Sequence, residues 1–131
     1  MIEMGLVDPV VAPPLSPVDR PIDLEHLSRM TLGERELERE VLRLFDRQAE
    51  MLLVKMQDAC PAAIAGYAHT LKGSARGIGA WSVARTAFDV ETAAQAVDPA
   101  HLSGSISRLA LAIGDARRVI ADLLQANRLS R

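Results

Sequence analysis

Residues 61–80 read PAAIAGYAHTLKGSARGIGA, and the spacing of their apolar side chains decides the fold. Apolar residues recur at intervals of three and four, the period of a helix lying against a core. At about 100° per residue, Ala68, Leu71, Ala75 and Ile78 fall within roughly 40° of Ile64, with Tyr67 near the edge of the stripe. Pro61 suits the first turn of such a helix, where its missing amide costs no hydrogen bond. The stretch therefore predicts a helix over 61–78 with a buried face rich in alanine. Alanine packs helices closely and makes poor sheets, so the partners of this face are expected to be other helices.

The same period continues on both sides. A short helix is expected over about 24–30 and a longer one over roughly 33–58, with Leu37, Val41, Leu44, Leu52 and Met56 as its buried stripe. A further helix is expected over about 80–97 and a last one over about 99–127, the latter with Ile106, Leu109, Ile113, Ile120 and Leu124 along one side. Punctuation supports these limits. Thr31-Leu32-Gly33-Glu34 has the spacing of a capping box, Asp98 is placed to cap the last helix, and Pro99 sits in its first turn. Gly114 falls inside that helix at a cost of about 1 kcal/mol against alanine. Short connections between four substantial helices imply an all-α antiparallel up-and-down four-helix bundle with a short extra N-terminal helix, formed by residues 22–131. Five of the seven prolines lie between Pro9 and Pro21, so residues 1–21 are expected to form a proline-rich flexible tail.

Composition narrows the function. The chain has 131 residues, 49% of them hydrophobic and only 3% aromatic, enough for one modest aliphatic core. A net charge of −2 without clustered Lys or Arg argues against nucleic acid as a partner. Cys60 is the single cysteine, which excludes an intrachain disulfide framework and suits a reducing compartment. The absence of a basic leader and of a long apolar run predicts a cytoplasmic protein with no membrane association. Because one bundle can bury all its apolar faces, a monomer is expected.

His69 lies about 140° from Ile64 on the helical wheel and is expected to face solvent. Lys72, Arg76 and Ala65 lie on its near side, Gly73 and Ala62 on its far side. An exposed imidazole can attack phosphorus through one ring nitrogen while the other stays hydrogen-bonded. Lys72, three residues on, is placed to bring a mobile positive charge to the transferred oxygens. Gly73 removes a side chain beside the histidine, and Ala62 and Ala65 extend this low relief, so the backbone of a partner could approach closely.

The segment AHTLKGSARGIGA, residues 68–80, with Glu91 on the following helix, resembles the signature of histidine-containing phosphotransfer (HPt) domains: His-x-Leu-Lys-Gly-Ser, then Gly-Ala, then a helix ending in Leu-Glu or a close variant. The resemblance covers about residues 22–127. It implies that His69 accepts a phosphoryl group from a receiver-domain aspartate and passes it to another receiver, with a hybrid histidine kinase upstream. It further implies that Lys72 assists with phosphate charge, that Gly73 permits docking, and that Glu91 accepts a hydrogen bond from the second nitrogen of His69. Such a phosphocarrier has no ATPase or autokinase activity, and the Mg²⁺ for transfer comes from the receiver, so no cofactor of its own is implied. Ala75 stands where a second serine is frequent, Val83 and Thr86 where leucine is common, and Ala87 where cysteine is common; most of these read as packing positions.

Other readings fit less well. A histidine-kinase dimerisation helix would carry an acidic residue after the histidine and a proline five positions on, where this chain has Thr70 and Ser74. The glycine-rich GSARGIG follows no strand, so it does not resemble a dinucleotide loop. His26, His69 and His101 lack metal-ligand spacing and read as surface residues, so no metal is expected. The alternative retained is a non-catalytic helical adaptor.

Overall fold

Five helices make up the described residues, 20–96 and 98–129, of a computed structural model: α1 (Leu24–Met30), α2 (Arg35–Met56), α3 (Pro61–Ile78), α4 (Trp81–Ala96) and α5 (Pro99–Leu129). Consecutive long helices pack on one another and α2 closes the ring against α5, giving the up-and-down four-helix bundle expected, with α1 laid against α3. The expected proline-rich tail lies, apart from Arg20 and Pro21, outside the described residues.

Alanine determines how closely the helices pack. Ala68, Ala75, Ala80 and Ala87 are completely buried, with Ala84 and Ala94 close to it, and α3 and α4 form the most extensive helix pair of the bundle. Leu42, Met56, Leu71, Val83, Val90, Leu109 and Ile120 fill the interior between them. The buried face of α3 consists of Ile64, Ala68, Leu71, Ala75 and Ile78, the five residues the wheel selects.

The buried face of α2 differs from the expected stripe. Leu37 and Leu44 are exposed and Val41 is half-buried, while Leu42, Phe45, Ala49, Leu52 and Met56 form the core face together with Arg39. Two apolar sets compete on this helix, and the set containing Phe45 removes the larger apolar area from water. Arg39 is tolerated inside because its guanidinium donates to the carbonyl of Leu124 at 3.4 Å.

The expected capping box does not form. Thr31 Oγ1 donates back to the Leu27 carbonyl at 2.8 Å, and Glu34, at the N-cap of α2, makes no side-chain cap bond. Leu32 (φ 56°) and Gly33 (φ 74°) are both left-handed and turn the chain between α1 and α2, which leaves Thr31 closing the first helix instead of opening the second. At α5 the expected cap is present: the backbone N–H of His101 donates to Asp98 Oδ1 at 3.3 Å.

A polar clamp fastens α1 to the junction of α3 and α4. Asp23 is 7% exposed and caps α1 by accepting from the His26 N–H. Its other oxygen accepts from Trp81 Nε1 at 2.9 Å, and its backbone N–H donates to the Gly79 carbonyl at 2.9 Å. Gly79 ends α3 at φ 79°, and a Cβ there would stand 2.9 Å from both Cβ and O of Asp23. The His26 ring lies against Trp81 with centroids 4.9 Å apart, and its Nε2 donates to the Arg76 carbonyl at 3.0 Å. His26, expected at the surface, is thus half-buried, whereas His101 is exposed. Among the described residues no helix is long and apolar enough to cross a membrane.

Candidate functional site

The close packing of α3 and α4 brings Glu91 across to His69, 22 positions earlier in the chain. Glu91 Oε2 lies 3.0 Å from His69 Nδ1, and its Oε1 accepts from Lys72 Nζ at 2.9 Å. One carboxylate therefore holds both groups. The three side chains are exposed very differently: 67% for His69, 15% for Glu91 and 13% for Lys72.

The position of Lys72 corrects the sequence reading, which gave it a mobile ammonium on the solvent face. At about 80° from the core direction the side chain enters the α3–α4 seam. Its ammonium is fixed by Glu91 and stands 5.2 Å from the centre of the Phe88 ring, a cation–π contact.

The electrostatics fix the state of the imidazole. The hydrogen bond from Lys72 holds the Glu91 carboxyl below its ordinary value, burial opposing and the bond from His69 adding to the effect. An ionised carboxylate only accepts hydrogen bonds, so His69 Nδ1 must be the donor. In the neutral ring the proton is then on Nδ1, and Nε2 presents its lone pair to solvent.

Gly73, one turn beyond His69, is exposed, and a Cβ built on it would meet nothing within 4 Å. Ala62 is exposed and Ala65 half-buried on the same helix, so the surface beside the imidazole is bare backbone and methyl groups. Arg76 is exposed two turns along. The structure thus joins His69, Lys72 and Glu91 in one hydrogen-bonded set, with Gly73, Ala62, Ala65 and Arg76 along the same helix outside it. Sequence reasoning missed Phe88, whose contact with Lys72 depends on the relative phase of two helices. Among the described residues no cluster of three or more His, Cys, Asp or Glu could hold a metal ion. What the arrangement offers is a solvent-facing nitrogen nucleophile with a fixed tautomer and a cation within one helical turn.

The sequence profile of the Hpt domain family matches residues 40–126. A crystal structure of a rice protein held to be a histidine-containing phosphotransfer protein superposes with a TM-score of 0.73 over 83% of each chain, at 19% identity, a likeness of fold. No curated protein matches the chain.

Proposed function

The chain belongs to the Hpt domain family, whose members are phosphocarriers between histidine kinases and receiver domains in phosphorelays, and on that premise we propose that His69 is its phosphoryl carrier. The observation that carries this reading is the hydrogen bond between Nδ1 and Glu91, which leaves Nε2 as the exposed nucleophile.

In the proposed step the Nε2 lone pair attacks the phosphorus of an aspartyl phosphate on a receiver. The N–P bond forms as the P–O bond to the aspartate breaks, and the aspartate leaves as a carboxylate. The proton on Nδ1 stays in place, and Glu91 stabilises the positive charge that develops on the ring. Lys72, held by Glu91 in the α3–α4 seam before transfer, swings out of that bond to meet the transferred oxygens. Transfer to a second receiver reverses each bond change. The Mg²⁺ that neutralises phosphoryl charge belongs to the receiver's acidic pocket. Gly73 and the alanines beside it leave room for that receiver, and Arg76 offers it a cation. The reading has the chain act as a monomer in the cytoplasm, without ATPase or autokinase activity of its own.

Two donors separate the chemistry from the docking. Wild type and His69→Ala are incubated with a phosphorylated receiver and, separately, with phosphoramidate, which needs no docking surface. Wild type is expected to take label from both and His69→Ala from neither; equal labelling of the two proteins rejects His69. A wild type labelled by neither donor returns the chain to the adaptor reading.

A further inference from the structure

Beside the His69 set, on the α3–α4 flank, Arg76, Trp81, Ala84, Arg85 and Phe88 line an open groove of about 340 Å³. Its apolar part is aromatic. Phe88 is 49% exposed, and the single N–H of Trp81 is committed to Asp23, so the indole contributes ring surface. Arg76 and Arg85 are exposed, and neither has an ion-pair partner among the described residues. The groove runs into the site through Phe88, whose ring faces Lys72.

The described chain begins at this groove. Asp23 is bonded to Trp81 and to Gly79, so the described chain begins within a few residues of the Trp81 end. The stretch 9–18 carries no charge of its own but is flanked by Asp8 and Asp19, complementary in sign to the two arginines. It also interleaves Pro9, Pro13, Pro14 and Pro17 with Val10, Val11, Leu15 and Val18, the composition that favours a polyproline II strand. Aromatic-lined grooves bind such strands because little entropy is lost in ordering them. From Trp81 to Phe88 α4 advances about 10 Å, which three or four residues of a polyproline strand would cover, so the stretch 9–18 is long enough for part of it to fill the groove.

We propose that residues 9–18 of this chain dock in the groove formed by Arg76, Trp81, Arg85 and Phe88, covering the Phe88 flank of the His69 set. The docking requires nothing from the phosphotransfer reading. Only its effect on transfer rests on that reading, so the test reads tryptophan and not phosphate.

Trp81 is the only tryptophan, which makes its quenching by neutral acrylamide a direct measure of cover. The full chain is compared with the full-length double variant Pro14→Ser/Leu15→Asp and with Arg85→Glu, far-UV circular dichroism checking that each keeps its helices. Both variants are expected to raise the quenching constant about twofold, and 0.5 M salt is expected to remove part of the wild-type protection. Equal quenching of wild type and the tail variant overturns the proposal. So does protection that grows with protein concentration alongside a sedimenting dimer, which gives the groove to a second copy. Protection gained only on adding a receiver domain, with the tail variant indistinguishable from wild type, gives it to the receiver and likewise overturns the proposal.

Discussion

Glu91 decides which nitrogen of His69 is available, and its own charge depends on Lys72. Because its carboxyl is held below the ordinary value of 4.5, its contribution to stability is complete above that value and is lost as pH falls through the lowered one. Glu91→Gln is expected to cost about 1 kcal/mol at neutral pH, with the gap to wild type narrowing as pH falls below 4.5. Urea midpoints across that range check both the size and the sign. At Gly73 the open space gives two opposite expectations. Gly73→Ala should stabilise the fold by about 0.5–1 kcal/mol, read as a higher melting temperature. Gly73→Leu should keep the fold and phosphoramidate labelling, yet slow transfer from a receiver about tenfold by holding the partner off. At this scale the sequence was legible where a single helix set the answer. The exposure of His69 follows from its angle to Ile64, and Ala75, Val83 and Ala87, where the chain departs from the family pattern, are buried packing positions. The burial of Lys72 was not legible, because it depends on a carboxylate supplied by another helix.

The helix ends tell a similar story at the level of elements. The starts of α3 and α5 agree with the proline signals at Pro61 and Pro99. The phase of α2 does not follow from its pattern, because apolar residues occupy two faces and only the competition for space around Phe45 selects one. The Thr31–Glu34 spacing misled for a local reason: two left-handed residues in succession turn the chain so that the threonine hydroxyl bonds back to Leu27 and across to Glu38 instead of capping the N-terminus of the next helix. The clamp on α1 had no signal, since His26 and the Arg76 carbonyl it binds are 50 positions apart. Gly79 is the element-level weak point. Alanine there adds left-handed strain and forces Asp23 aside, so Gly79→Ala is expected to cost about 2–3 kcal/mol. Differential scanning calorimetry should show the loss as a drop of roughly 10 °C or more, with the Trp81 emission shifting as its bond to Asp23 breaks.

In the whole molecule, the four-helix arrangement and the site have a common origin in alanine. Small side chains let α3 and α4 approach, and that approach sets the distance between His69 and Glu91. Ala68, fully buried next to His69, tests the link. Ala68→Leu overfills the interior at an expected cost of about 1–3 kcal/mol. It should also spread the helices, so that imidazole ¹⁵N resonances report a mixture of tautomers in place of the Nδ1–H form. The bundle's topology was legible because its period, caps and short connections agreed, whereas the helix-to-helix registers that build the site lie beyond any one-helix pattern. One feature of the finished architecture bears on timing. Among the described residues nothing roofs His69, two-thirds of whose side chain meets solvent. If His69 is the carrier proposed above, a nitrogen open to a partner is open to water as well, and a phosphoryl group held there would have a shelf life governed by hydrolysis. Forwarding a signal would then be a race, its memory lasting only while the next receiver outpaces the solvent.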